Sequence, residues 1–299
     1  MDQQRSGASQ RPASRLAVGV VSAGRVGSVV GAALTRAGHR VVAASAVSDA
    51  SRERAARHLP GAEILAPPDV AAAADLLLIA VPDDAIAALA ASLPVRPGQL
   101  WVHTSGALGA EVLRPARDAG ALTVALAPAM TFTGRDEDLQ RLEGISWAVT
   151  GEAEARFVGE ALALEMGGEP EHVDEADRAR YHAALVYAAN HVTTLVNDAA
   201  DQLRAIGVAN PERLMSPLVS ASLDNALRHG DAALTGPVSR GDAGTVARHL
   251  EALAGTGIAE TYRVLARRTA ERALESGRLK SSDAEGLLEV LARSTEEDR

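Results

Sequence analysis

Ser22-Ala23-Gly24-Arg25-Val26-Gly27 is the first string in the chain with a chemistry of its own. It matches the phosphate turn G-x-G-x-x-G, except that serine stands where the first glycine is expected. Gly24 would let the backbone approach a pyrophosphate, and Gly27 would let a helix pack closely on a strand. The helix N-terminus behind them offers amides and the positive end of a dipole. A purely structural glycine turn is the alternative, and the Ser22 hydroxyl could itself donate to a phosphate. In such folds cofactor choice is read roughly 20 residues further on, where an acidic residue would hold an NAD ribose. Ala43, Ala44 and Ser45 stand in that region, and the loop beyond offers Ser48, Ser51, Arg52 and Arg54. Hydroxyl and guanidinium groups suit a 2′-phosphate, so NADP is expected over NAD. Two other readings stay open: an N-capped surface helix with solvated arginines, and Asp49 reaching a ribose.

Hydride transfer to a carbonyl also needs a proton donor and an anchor for the rest of the substrate. The only lysine is Lys280, among polar residues near the C-terminus, so the donor must be another group. His182 and Asn190 are expected on one long helix, about 80° apart around its axis, so both could border one cleft. His182 reads equally as a proton donor and as a helix-packing histidine; Tyr187 lies one turn from Asn190 on a closer face, and His191 and His103 are weaker candidates. Ser105 follows an apolar strand at the end where a nicotinamide or substrate would sit, and is taken with His182 and Asn190 as catalytic. Val81, Pro82 and Thr104 lie at similar strand ends and join the cofactor side. Asp83 and Asp84 share that address but equally cap the next helix. Thr235-Gly-Pro-Val-Ser239-Arg240 offers either an anion site for a substrate carboxylate or an ordinary turn. Thr131, with Thr235 and Arg240, is assigned to the substrate side. No pair of histidines or carboxylates has metal-ligand spacing.

These residues must be positioned by two different kinds of architecture. Apolar runs at Leu16–Val21, Arg40–Ser45, Ala62–Leu65, Asp75–Val81, Leu100–His103, Val124–Leu126 and Ser146–Val149 read as strands, with helical spacing between several of them. That alternation predicts an α/β, doubly wound parallel sheet, a Rossmann domain over residues 15–173, whose ligand lies at the C-terminal strand ends. From Asp174, read as an N-cap, the pattern turns to helices only, giving an all-helical substrate and dimerisation domain over residues 174–299. The stretch from Glu175 to about Ile206 has no proline or glycine. Its apolar stripe, Leu185, Ala189, Val192, Val196, Ala199 and Leu203, predicts a central bundle helix buried on more than one face. Asn210-Pro211 and Asp242 are helix starts, Ser282 to Glu285 fits a capping box, and Arg228 to Asp242 reads as a loop.

Composition narrows the partners. The 299 residues are 47% hydrophobic, enough for a buried core, and carry a net charge of −9, which disfavours nucleic acid and anionic membranes. There is no cysteine, which removes thiolate catalysis, disulfides and thiolate metal sites. Residues 1–14 are polar and read as a disordered tail, and no apolar run is long enough to span a bilayer, so a cytoplasmic protein is expected. The apolar surface of the long helix predicts a homodimer through the helical domain.

The strings VSAGRVGS, ADLLLIAVPDDAI, WVHTSGALG, APAMTFTG, YHAALVYAAN and ALTGPVSRGD, in this order, resemble a group of bacterial Rossmann-like NADP-binding oxidoreductases. Their C-terminal domain is of unknown function and is similar to the helical domain of 6-phosphogluconate dehydrogenase. Relatives include ketopantoate reductase, pyrroline-5-carboxylate reductase and prephenate dehydrogenase. The resemblance implies NADPH-dependent reduction of a small oxo or imino acid, with a ketopantoate-like substrate suggested by gene neighbourhoods in the group. A non-catalytic NADP(H)-binding regulator or dimeric scaffold is the alternative. The chain departs from the pattern twice: Ala127-Pro128 replaces a His-Pro pair, and Val186 stands four residues before Asn190, where β-hydroxyacid dehydrogenases place a general-acid lysine.

Overall fold

A computed structural model describes residues 15–292. The predicted tail over residues 1–14 lies outside the described residues. Contacts divide the chain into two compact units, one ending at Asn190 and one beginning at His191.

The first unit is built on eight strands: β1 Ala17–Val21, β2 Arg40–Ala44, β3 Glu63–Ile64, β4 Leu76–Ile79, β5 Leu100–His103, β6 Leu122–Pro128, β7 Ser146–Gly151 and β8 Glu169–His172. Their order is β3-β2-β1-β4-β5-β6-β7-β8. The helices between them are α1 Arg25–Arg36, α2 Asp49–His58, α3 Pro67–Ala73, α4 Asp83–Ser92, α5 Arg114–Asp118, α6 Asp136–Arg141 and α7 Ala153–Glu165. In β4 every residue is buried, and successive side chains serve opposite faces. Leu76 and Leu78 join one core cluster with Val18, Val20 and Val102, while Leu77 and Ile79 join a second with Val21 and Trp101. The chain order reverses between β1 and β4, which places the switch point at their C-terminal ends.

The sheet is not parallel throughout, as its sequence had suggested. β7 runs antiparallel to β6 and parallel to β8. The connection that makes this reversal, residues 129–145, holds only the six-residue α6 and brings β7 back alongside β6. β8 was not foreseen, because Glu-Pro-Glu-His has no apolar alternation. As an edge strand it tolerates Pro170.

Asp174 does not cap the long helix with its side chain. It pairs with His172 (3.0 Å), and a 3₁₀ turn at Glu175–Asp177 precedes α8, Arg178–Ala205. This helix crosses from the first unit into the second. Within the single chain only Arg178 and Ala200 along it are fully buried, so the expected burial on several faces is not met by this chain's own elements.

The second unit continues with α9 Pro211–His229, α10 Gly236–Ser239, α11 Ala243–Ala252, α12 Ala259–Glu275 and α13 Ser281–Ala292. Its core gathers Val246, Ala266, Ala270, Ala273, Leu287 and Leu291. Asp242 caps α11 as expected, accepting from the Thr245 amide at 2.9 Å. The expected capping box is absent: α13 starts at Ser281, the Lys280 carbonyl takes the first amides, and the Ser282 hydroxyl turns to Asp283. The stretch from Arg228 to Asp242, expected as loop, holds a 3₁₀ turn at Gly230–Ala233 and α10. Among the described residues, no helix is long and apolar enough to cross a membrane.

Candidate active site

The phosphate turn leaves β1 at Val21 and enters α1 at Arg25. Ser22 takes the left-handed conformation (φ +77°), the backbone state for which glycine is the usual residue. Two bonds to the end of β2 hold it there: the Ser22 amide donates to Ser45 Oγ and the Ala23 amide to the Ser45 carbonyl, both at 2.8 Å. A side chain at Gly27 would collide with the Ser22 carbonyl oxygen and the Ala80 methyl, so this glycine serves the packing of helix on sheet. Gly24 differs. Its φ is an ordinary −72°, and an added Cβ would meet only the rotatable Ser22 hydroxyl, at 3.3 Å. Little in the fold itself requires glycine there, whereas a ligand lying on the backbone would.

Beyond β2, Ser45 is buried and engaged with the turn, and Ser48 caps α2 by accepting from the Ser51 amide. Arg52 pairs with Asp49 at 3.1 Å on an exposed face. Arg54 is placed otherwise. Its Nε is buried with no hydrogen-bond partner among the described residues, and its Cδ and the Arg25 Cγ each lie 3.0 Å from the Cβ position of Gly134. The Gly134 loop is fixed in turn by fully buried Asp138, which accepts from the Thr133 and Gly134 amides at 2.7 Å. Val81 and Pro82 follow β4 at the switch point. Pro82 stands at the N-cap of α4, with Asp83 and Asp84 exposed in its first turn.

At the end of β5 the chain makes a tight, satisfied turn. His103 is fully buried, with Nδ1 accepting from the Ser105 amide (3.2 Å) and Nε2 donating to the Gly109 carbonyl (2.9 Å). Burial pushes its pKa down to about 4, the Gly109 bond opposes this, and the Arg178 charge adds to it. The Ser105 hydroxyl accepts from the Ala107 and Leu108 amides, so it holds the turn and does not line the cavity below. Arg178, at the start of α8, is buried and donates to the carbonyls of Ser105, Leu108 and Ala148. Burial lowers its pKa from the ordinary guanidinium value.

One turn beyond Arg178, the His182 imidazole lies so close to Gly106 that any side chain at 106 would strike Nδ1. His182 and Asn190 share a cavity of about 920 Å³ with Arg25, Val26, Thr104 and Thr131, and Val186 is also in its wall. Neither side chain has a hydrogen-bond partner among the described residues, so both are available to a ligand. Tyr187 is 63% exposed and outside this lining, and His191 belongs to the second unit. Thr235 and Arg240 line a different cavity, within the second unit. The sequence reading passed over Arg178 and over Tyr181, which lines the same cavity as His182. The signal was present for the first, since Arg178 lies at i−4 from His182 and therefore on the same helix face.

Residues 1–128 match the Rossmann-like domain family, and residues 145–269 match the domain of unknown function DUF2520. No curated protein sequence matches the chain. Solved structures do. A candidate NADP oxidoreductase from Bacteroides fragilis is 21% identical with a TM-score of 0.72, over 86% of this chain and 98% of that one. The 1-pyrroline-5-carboxylate reductase of Streptococcus pyogenes is 17% identical with a TM-score of 0.59, over 87% and 99%. The reductive aminase of Aspergillus terreus, solved with NADPH and ethyl levulinate, is 18% identical with a TM-score of 0.60, over 96% and 95%. At these identities the likeness establishes the fold.

Proposed function

From a chain that carries a Rossmann-like domain followed by a DUF2520 domain, we propose an NADPH-dependent oxidoreductase that reduces a small oxo or imino acid. The observation that carries this reading is the pairing of His182 and Asn190, both without partners, in one cavity with the phosphate-turn residues Arg25 and Val26. The named neighbours support it, since they include a pyrroline carboxylate reductase and a reductive aminase in complex with NADPH. A ketopantoate-like acid is the first substrate to try.

The turn fits a dinucleotide on two counts: the Gly24 backbone, overhung only by the rotatable Ser22 hydroxyl, and the orphaned Nε of Arg54. Ser22 to Gly27 would hold the pyrophosphate, with Val81, Pro82 and Thr104 along the remaining strand ends. Ser45, Ser48, Arg52 and Arg54 form the 2′-phosphate side. When bound, NADPH supplies a hydride for the substrate carbon. His182 then donates the proton to the developing oxygen or nitrogen, directly or through water, while Asn190 orients that atom. Ser105 acts at one remove, by fixing the turn that sets Gly106 against His182. Thr131 lines the substrate side, and Thr235 with Arg240, lining the second unit's own cavity, is offered as a carboxylate-binding pair there.

Exposed Leu195, Leu214, Leu218, Leu223 and Leu227 form apolar surface on the second unit. We assign it to a homodimer joined through the helical domains. A monomer in light scattering at micromolar concentration would remove that assignment.

The deciding experiment is fluorescence titration with NADPH and NADH, followed by an absorbance screen of oxo and imino acids. Tighter binding of NADPH and its oxidation by one of these acids is the expected result. Tight NADPH binding with no oxidation by any of them would favour a binding regulator instead, the reading to which Val186 in place of a lysine points. Equal affinity for the two nucleotides would remove the NADP assignment.

A further inference from the structure

Thr235 and Arg240 do not stand alone. The cavity they line, about 430 Å³ within the second unit, is also bordered by Ser239 and Arg278. Arg240 ends α10 and Arg278 lies in the turn after α12, so it is the fold that brings the two together. Both backbones are fixed. The Arg240 amide donates to the Pro237 carbonyl at 3.3 Å, and Gly241 beside it (φ +73°) approaches so closely that a Cβ there would stand 2.7 Å from the Asp283 carbonyl oxygen. The Arg278 amide donates to the Ala273 carbonyl at 2.8 Å, directly after Gly277 (φ +71°).

The two guanidinium groups have no hydrogen bond or ion pair among the described residues. Several other arginines of this unit are engaged, Arg204 with Asp201 and Glu212, Arg228 with Asp224, Arg272 with Asp231, and Arg267 with the Leu291 carbonyl, while Arg213 on α9 is exposed and outside the cavity. The nearby acids are taken as well. Asp242 caps α11, which holds its carboxyl below the usual range, and Asp283 accepts from Ser282. The Ser239 hydroxyl donates to the Gly236 carbonyl, whereas the Thr235 hydroxyl has no partner among the described residues. Two guanidinium groups and a free hydroxyl therefore border one cavity with no acid bonded to them, Asp242 acting on Arg240 only through its charge at longer range, an arrangement that an oxyanion would stabilise.

We infer that this cavity is an oxyanion site with two guanidinium arms, Arg240 and Arg278, selective for a compact dianion of the phosphate or dicarboxylate type. The inference extends the carboxylate-holding role proposed for Arg240. It is read out by anion binding alone, without nucleotide or turnover, so it can fail while the reductase reading stands, and the reverse.

The test is calorimetric titration of the full-length protein with inorganic phosphate and with malonate, at ionic strength held constant with chloride. Saturable binding is expected. Arg278→Ala and Arg240→Ala should each weaken it about tenfold or more, and Arg278→Lys, which keeps the charge and loses the fork, should fall between. Arg213→Ala, which removes an exposed arginine of α9 outside the cavity, should change nothing. Competition between phosphate and a small oxo acid would identify the site as the substrate's acid subsite, while phosphate binding without competition would identify a separate phosphate site. Absence of saturable binding in chloride, unchanged binding in Arg278→Ala, or an equal loss in Arg213→Ala would overturn the inference.

Discussion

His103 and His182 stand on either side of one short turn, and the fold treats them in opposite ways. His103, at the end of β5, has both ring nitrogens occupied and is held neutral. His182 packs against Gly106 in the same turn and has no partner among the described residues. The first is consumed by structure, and the second lines a cavity with no such bond made. The same division recurs beyond β2, where Arg52 is paired with Asp49 while Arg54 keeps an orphaned nitrogen. Residue type alone does not separate the two kinds of group; the state of their hydrogen bonds does.

The largest effect should come from the unpartnered histidine. With a substrate in hand, His182→Gln is expected to lower kcat by roughly 10² to 10⁴, the usual cost of losing a positioned acid, and to leave NADPH affinity intact. Steady-state kinetics and nucleotide titration together check this. Normal turnover with a lower melting temperature would place His182 in the same structural class as His103, and the comparison would collapse.

His103 should reveal itself through stability and pH. Its pKa in the fold, about 4, lies below the ordinary 6.5, so protonation favours the unfolded chain. The stabilisation is complete above the unfolded value and is lost as pH falls from there towards 4, in total about 3 kcal/mol. Urea unfolding of the wild type and His103→Gln at pH 7 and 4.5 should show the wild type losing roughly 2 to 3 kcal/mol more than the variant over that interval. Parallel losses would mean that the ring is not held neutral.

The two arginines sharpen the comparison further. If an orphaned group is one kept for the ligand, Arg54→Ala should weaken NADPH by about 1.5 to 3 kcal/mol, with little effect on NADH. Arg52→Ala should act in the same direction but less, since Asp49 already neutralises part of its charge. Paired titrations with both nucleotides decide the order, and a larger effect at Arg52 would reverse it.

What was legible in the sequence follows from how local each signal is. β1, the phosphate turn and α1 are specified within some twenty neighbouring residues, and β4 declares itself through an uninterrupted apolar run. β8 carries no such pattern, because an edge strand of Glu, Pro and His is defined only by the neighbour it pairs with. His182 and Asn190 could be placed on one helix by counting. The approach of His182 to Gly106, the clamp of Arg178 on three distant carbonyls, and the use of Ser105 as a turn cap could not, since each depends on contacts between segments far apart in the chain. Asp174 shows the converse failure: a good local cap signal was overridden by a hydrogen bond with a neighbour, His172.

The smallest expected effect concerns Ser22, where structure and ligand binding pull in opposite directions. A left-handed serine costs about 1 to 2 kcal/mol relative to glycine in the folded backbone, while glycine loses roughly 0.4 to 1 kcal/mol through the greater freedom of its unfolded chain. Ser22→Gly should therefore raise stability by somewhat under 1 kcal/mol, visible as a small increase in the denaturation midpoint at unchanged slope. The amide bond to Ser45 Oγ is a backbone feature and survives the change. What disappears is the hydroxyl, which lies over Gly24 where the pyrophosphate would rest. If that hydroxyl donates to phosphate, the stabilised variant should bind NADPH about 1 kcal/mol more weakly, and the two measurements should move in opposite senses. A gain in both would mean that the serine is strain without function, and that the turn would work better with the glycine it lacks.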